Sequence, residues 1–570
     1  MSALLVKYLE EVNKYDAVER VDVIPNSNRK YIDHWKLSTE IEVNGVRHDI
    51  DFLIGFPVDF PYSLPDFYFQ SLEFGYLPHV ESKNGKLCLE EDGVSFSVDN
   101  PLGLILFCIK RAKRLIQDGA CGNNVADFLA EINSYWSRNY NDEPDLKETI
   151  IFYGEIPAIN CELSALSYAV PLLEYHEKNG PINTLLYLGN MEPFNGYISE
   201  HFQHNSKTAL FLTDVKIKER TPYNISFAEF LTLLTKDGKK RARNFLNRHN
   251  GGDLYFKLTD NRIAGVRFEK AELKKNGFRL LKPCNVYEGF GNNEKNRQRL
   301  YGFVYTKKHS AERTAGKLME KMNFLVAGLG SVGSNLIHFL LGYNNVSFTL
   351  VDKDFLTTDN LGRHLLGFSY VNLLKAHGVT DYIKLSNLEA DVNPVASTLQ
   401  EYINTDFNKL NDFTALFLCT GDIMTEKYIF HAIEGGKINV PIFNLWLEPF
   451  GAAGHLVYVN SYQCTFPINI YNSKSSRYIH NIIKEEAYER NKEKFVRHDA
   501  GCNGSYTLYS GNDVLLMLSA FYPIITRLLK KPLQSKCYRW VGNKDYLLKQ
   551  GIELNIDSNV SIGTIQEFML

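Results

Sequence analysis

Residues 324–336, FLVAGLGSVGSNL, run from an apolar strand into a glycine-spaced turn and on into a helix. Gly328, Gly330 and Gly333 form G-x-G-x-x-G. The first glycine permits a tight turn, the second lets backbone approach phosphates, and the third allows close helix packing. The helix N-terminus then faces the anion. The next strand ends in TLVDKDF, which puts Asp352 nineteen residues after Gly333, a spacing suited to an acid that bonds a ribose hydroxyl. On these features alone the ligand is NAD, FAD, a SAM-like molecule or ATP.

Working outward, strand-like runs alternate with helical stretches from residue 309 to the end: NFLVAGLG, SFTLVDKD, ALFLCTGD, IFNLW and GHLVYV. This pattern predicts an α/β, doubly wound, largely parallel sheet over 309–570. DNLGRHLLG supplies Asn360 and Arg363, and LLKAHGV supplies Lys375. A dehydrogenase does not need these donors, whereas an enzyme that stabilises a triphosphate as pyrophosphate leaves does. ATP is therefore the expected nucleotide. The absence of G-x-x-x-x-G-K-[ST] excludes a P-loop enzyme. Asp422 closes ALFLCTGD, where a parallel sheet presents functional groups. A carboxylate there suits Mg²⁺, and a helix N-cap is the other reading.

The glycine turn, VDKD, DNLGRHLL, Lys375-Ala376, DVNP at 391–394 and CTGD at 419–422 together resemble the ThiF-type adenylation domain of ubiquitin-activating enzymes, over about 100 residues in the family's order. The resemblance implies that ATP converts a protein's C-terminal carboxylate to an acyl-adenylate. It puts Asp352 on ribose, Asn360, Arg363 and Lys375 on phosphates, and Asp422 on magnesium. Arg313, in HSAERTAGK, resembles an arginine that such domains lend across a homodimer. A thiolate normally captures the adenylate. Cys502, in HDAGCNGSYTLYSGND, has glycines on either side and His498 nearby. Cys464 competes with it, and Cys419 reads as buried in a strand.

The first block, residues 1–145, predicts an α+β fold. A surface helix in MSALLVKYLEEVNKYD precedes LSTEIEV and VRHDIDFLI, which join at Asn44-Gly45, a strong hairpin signal. FPVDFPYSLPDFYF and LPHVESKNGKLCL then resemble the ubiquitin-conjugating core pattern over about 35 residues, with Gly85 three positions before Cys88. The resemblance implies a thioester on Cys88. His79 stands where the family has an asparagine, either as an oxyanion donor or as a surface turn residue. Glu90, Asp92 and Asp99 are the candidate general bases nearby.

The middle block, 146–308, is expected to be α/β, with a basic run KKRARNFLNRH at 239–249 that reads as a solvated helix face. Nine scattered cysteines without a C-x-x-C pair argue against a zinc ribbon and for a reducing, cytoplasmic compartment. The apolar runs LGLILFCI and VLLMLSAFYPII are too short to span a bilayer, and a net charge of −3 offers no attraction to nucleic acid.

With both ends considered, the chain resembles the Cap-type fused activating and conjugating enzymes of bacterial CBASS antiphage defence. That resemblance implies the C-terminus of a cGAS-like nucleotidyltransferase as substrate, an acceptor protein amine and a homodimer. Two alternatives remain at this stage. One is an NAD-dependent oxidoreductase with an unrelated N-terminal domain. The other is a non-catalytic ubiquitin-like binding module fused to an adenylating enzyme.

Overall fold

The computed structural model describes residues 2–22, 30–71, 73–75, 77–81, 84–89, 97–124, 126–127, 136, 148–169, 184–189, 204–216, 227–271, 275–276, 279–289, 297–387, 390–463, 469–498 and 505–570. These fall into two compact units, one reaching Thr306 and the other running from Lys307 to Leu570.

In the first unit, the strands Ala17–Arg20, Tyr31–Val43, Val46–Pro57 and Asp66–Tyr68 form an antiparallel sheet in chain order. Val43 and Val46 pair across Asn44 and Gly45, whose φ values of 51° and 83° are those a two-residue hairpin turn of matching twist requires. Every second residue of Tyr31–Val43 is buried from Asp33 onward, so one face of the sheet forms the core. Helix Pro101–Cys121 covers that face with Leu104, Ile105, Cys108, Ile109, Ala112 and Ile116. It starts cleanly because Asn100 caps the Gly103 N–H at 2.9 Å and proline occupies the first turn. It stops at Gly122, which is left-handed at φ 75°.

The middle block departs from the layered α/β expectation. Seven strands close into a barrel in the order Arg262–Phe268, Arg297–Tyr305, Glu148–Tyr153, Thr184–Gly189, Cys161–Ala169, His204–Leu212, Gly252–Thr259. The sequence shows short apolar runs but not that they close on themselves, because closure depends on pairing between distant segments. Trp136, expected in the first block, donates from its indole to the Leu300 carbonyl at 2.8 Å and packs with this domain's core. The basic run lies on helix Lys236–His249. There Ala242, Phe245 and Leu246 face inward, while Arg241 and Arg248 reach Asp237 and Glu162, each at 2.7 Å. That is the solvated face expected.

The second unit is built on an eight-stranded sheet in the order Asp391–Val395, Val346–Val351, Met322–Ala327, Ala415–Leu418, Ile442–Leu447, Ala453–Val459, Lys536–Val541, Ile565–Met569. The first five strands are parallel and the last three antiparallel. The sheet is thus mixed where a largely parallel one was expected. Asp391–Val395 carries Pro394, tolerated because this is an edge strand. From Met322–Ala327 the chain builds outward on one side through the next two strands, then returns to the other side with Ala415–Leu418. Ligands of such sheets sit beyond the strand ends at that reversal. Helix Gly511–Lys530 is long and apolar enough by length and composition to cross a membrane, and longer than the run read from sequence. It instead buries Val514, Met517, Leu518, Phe521 and Ile525 in the core beside helix Ser331–Leu340.

Candidate functional site

The glycine turn opens at that reversal. Gly328 adopts φ 83°, and a Cβ there would lie 2.7 Å from the Cys419–Thr420 backbone. A Cβ on Gly333 would collide with the Gly328 carbonyl. At Gly330 a Cβ would meet nothing within 4 Å, so this backbone borders open space. Gly330 is the N-cap of Ser331–Leu340 and brings no side-chain cap to that helix end. A positive helix end above an open cradle fits a phosphate.

A cleft of about 700 Å³ lies over the turn. Of the residues expected from sequence, Gly330, Asn360 and Arg363 line it. Asp352 stands behind it: its carboxylate accepts from the N–H groups of Leu329 at 2.6 Å and Asp354 at 2.8 Å. Burial pushes the Asp352 carboxyl up, more than these bonds and Lys375 pull it down. Its evident structural work is to hold the turn closed. Lys375 is buried, with Nζ 3.4 Å from Asp354 Oδ2, and Asp354 lines the cleft.

Arg363 is steadied from two directions. Nη1 donates to the Thr507 carbonyl at 3.0 Å, and the guanidinium lies 5.2 Å from the Tyr509 ring centroid. The Tyr509 hydroxyl is 2.7 Å from Ser331 Oγ, which closes a loop of contacts back to the glycine helix. Asn335 donates to the Arg363 carbonyl at 3.0 Å. His364 donates from Nε2 to the Leu329 carbonyl at 2.8 Å and accepts the Leu366 N–H on Nδ1 at 3.0 Å. Burial pulls its pKa down to about 4, so it is the neutral ring that pins the turn.

Asp422 caps helix Ile423–Glu434, accepting from Met424 N at 3.2 Å, Thr425 N at 3.1 Å and Thr425 Oγ1 at 2.6 Å. Burial works to raise its carboxyl, but these bonds outweigh it and hold it below the ordinary range. It stays exposed and ionised beside the cleft residues Gly421 and Ile423, and so fits a Mg²⁺ ligand as well as a cap. Arg313, in the last turn of Lys307–Ala315, is exposed and does not line the cleft of its own chain.

Sequence reasoning missed Glu426, Glu448, Arg477 and Lys492, all at the cleft. Burial raises the Glu426 carboxyl to about 6 against a hydrogen bond from Tyr471. Glu448 accepts from His455 Nε2 at 2.7 Å and from the N–H groups of Ile482 at 2.5 Å and Ile483 at 3.1 Å, tying the wall of the cleft together. Glu426 lies one turn beyond Asp422 on helix Ile423–Glu434, whereas Glu448, Arg477 and Lys492 follow the last parallel strand and carry no local motif.

Cys502 and Cys464 lie outside the described residues. The flanks of Cys502 are described: Val496–His498 pairs antiparallel with Ser505–Thr507, His498 opposite Ser505. Cys419 is buried, and burial pushes its thiol far up, so it is no nucleophile at neutral pH.

In the first unit Cys88 is exposed. Gly85 is left-handed at φ 76°, and a Cβ on it would strike the Phe69 carbonyl, which explains glycine there. Cys88 N–H donates to the His79 carbonyl at 2.9 Å, so the structure brings these two together. His79 Nε2 lies 3.2 Å from Asp127 Oδ2, a partner not foreseen. Glu90 and Asp92 lie outside the described residues, and Asp99 is exposed just before Asn100.

The family model described as Prokaryotic E2 family B matches residues 20–143, and that of the ThiF family matches 309–473. Together the two matches indicate an E2-like segment and a ThiF-type adenylation segment fused in one chain. Cys88, His79 and Asp127 fall within the first match, and the glycine turn through Asp422 within the second. Adenylyltransferase and sulfurtransferase UBA4 of Saccharomyces cerevisiae (strain ATCC 204508 / S288c) is 23% identical over 226 residues, 38% of this chain and 48% of UBA4. The chain thus spans about half the length of the curated relatives it matches. Among solved structures it is similar to PaaA, at 12% identity and TM-score 0.32 over 44% of this chain and 72% of PaaA. It is also similar to E. coli MccB with ATP, at 13% identity and TM-score 0.27 over 44% of this chain and 63% of MccB.

Proposed function

We propose that the chain adenylates the C-terminal carboxylate of a partner protein with ATP and Mg²⁺, takes the acyl group onto Cys502, passes it to Cys88 and conjugates it to an amine. The observation that carries this is the tie between cleft and thiol segment: Thr507 and Tyr509, five and seven residues after Cys502, hold Arg363 over the glycine cradle. A carboxylate oxygen attacks the α-phosphorus, pyrophosphate leaves, and a thiolate then displaces AMP from the acyl carbon. Arg363, Asn360 and the Ser331–Leu340 helix end stabilise the phosphates, and Lys375 adds positive charge behind Asp354. Asp352 serves the ribose end. Mg²⁺ held at Asp422 would offset charge on the leaving pyrophosphate. Carrying both thiols on one chain raises the effective concentration for the second transfer.

The substrate in this reading is a cGAS-like nucleotidyltransferase in cytoplasmic antiphage defence, with a homodimer lending Arg313. The deciding experiment mixes full-length protein, Mg²⁺-ATP and that partner, and follows thiol-sensitive adducts on a non-reducing gel for wild type, Cys88→Ala and Cys502→Ala. The reading requires adducts on both cysteines, with Cys502→Ala abolishing the one on Cys88. A Cys88 adduct that survives Cys502→Ala overturns the order of the relay.

A further inference from the structure

His79 and Cys88 stand opposite one another at the end of a short antiparallel pairing. Val80 bridges Leu87, Glu81 N–H donates to the Lys86 carbonyl at 2.7 Å, and Cys88 N–H donates to the His79 carbonyl at 2.9 Å. The backbones of His79 and Cys88 are thus cross-strand neighbours at the end of this ladder, beside buried Leu87.

His79 sits at φ 61°, in the left-handed region, where a non-glycine residue is costly and is kept when the surroundings hold it there. Those surroundings are the end of helix Pro101–Cys121. A Cβ on Gly119 would lie 3.0 Å from Leu77 and 3.4 Å from Pro78, so the two residues before His79 press directly on the helix end. Beyond Gly122 the chain turns back, with Asn123 N–H on the Asp118 carbonyl at 2.8 Å, and delivers Asp127 to His79 Nε2. Strained backbone, a paired imidazole and an exposed thiol thus meet at one point.

We propose that Asp127 is a positioning residue that fixes His79 as the general base for the amine that discharges Cys88. This rests on the thioester reading of Cys88 given above. With Nε2–H donating to Asp127, the ring accepts a proton through Nδ1, and the carboxylate stabilises the imidazolium that forms. The acceptor is a primary amine that arrives as an ammonium at neutral pH, so Nδ1 first takes one proton from it and releases that proton to solvent. The free amine nitrogen then attacks the thioester carbon and the C–N bond forms. The C–S bond breaks, and the second N–H proton passes to Nδ1 and then to the departing Cys88 thiolate.

The test loads Cys88 without ATP. The full chain carrying Cys502→Ala is treated with a fluorescent peptide bearing a C-terminal glycine mercaptoethanesulfonate thioester, with Cys88→Ala as background, and transfer to free lysine is timed. His79→Gly relieves the backbone and leaves room at the ring position. Per molecule of loaded thioester it is expected to transfer about 10²-fold more slowly, with added imidazole restoring the rate. His79→Asn keeps a donor and tolerates the left-handed backbone, yet stays as slow as His79→Gly. Asp127→Asn slows transfer and Asp127→Glu restores most of it. Wild-type rates in His79→Asn, or no rescue by imidazole, overturn the proposal in favour of a donor or a turn residue. A wild-type Cys88 thioester that reacts with lysine no faster than the same peptide on glutathione overturns the conjugating reading itself, and this inference with it.

Discussion

Gly330 and Gly333 are chemically identical and structurally opposite. A methyl at 330 enters open space, while one at 333 meets the Gly328 carbonyl. Gly330→Ala is therefore expected to melt like wild type while ATP–pyrophosphate exchange falls about tenfold or more, the equivalent of ~1.4 kcal/mol of lost contact. Gly333→Ala is expected to lose about 1–3 kcal/mol of stability. Thermal melts beside exchange assays separate the two. His364 gives a pH signature. Its folded pKa of about 4 lies below the ordinary 6.5, so between those values the unfolded chain binds more protons. The stability it contributes is complete above pH 6.5 and is lost as pH falls toward 4, a total of about 3 kcal/mol. Denaturant melts at pH 7 and pH 4.5 should show a smaller loss in His364→Gln than in wild type, and equal losses would refute the assignment.

At the scale of elements, Asp422 is both helix cap and candidate metal ligand, and substitution separates the two. Asp422→Ala is expected to cost about 1 kcal/mol by uncapping Ile423–Glu434, whereas Asp422→Asn keeps the cap within a few tenths. Both should weaken the magnesium dependence of exchange. An asparagine variant with unaltered magnesium response would leave the residue as a cap alone. Elements whose signal is local were legible in the sequence: the Asn44-Gly45 hairpin, the glycine turn, and the apolar strands leading to Asp352 and Asp422. Elements specified by distant partners were not. Asp391–Val395 hides behind its proline, Ile565–Met569 breaks its apolar residues with Gln566 and Glu567, and the seven barrel strands announce no closure. The same division runs through the sites. Asn360 and Arg363 sit in a continuous motif, while Glu448 meets Ile482 and Ile483, and Asp127 meets His79, only across long stretches of chain.

On the scale of the molecule, the chain forms two units with separate cores, and the proposed reaction divides its chemistry between them. A non-hydrolysable ATP analogue binding only folded protein stabilises what it touches. Hydrogen exchange should therefore slow around residues 329–335, 360–366 and 420–426, together with 505–509, and remain unchanged across 31–57 and 101–121. Protection in the first unit instead would place the nucleotide elsewhere.

The grip of Thr507 and Tyr509 on Arg363 has a bearing on the order of events. Under the proposed reaction, the ribbon that flanks Cys502 and the cation at the nucleotide cradle would share one lever. A movement of residues 505–509 that redirected the thiol toward an acyl group would also loosen Arg363. Release of the phosphates and approach of the sulfur would then be geared to each other, the second half of the reaction opening as the first lets go.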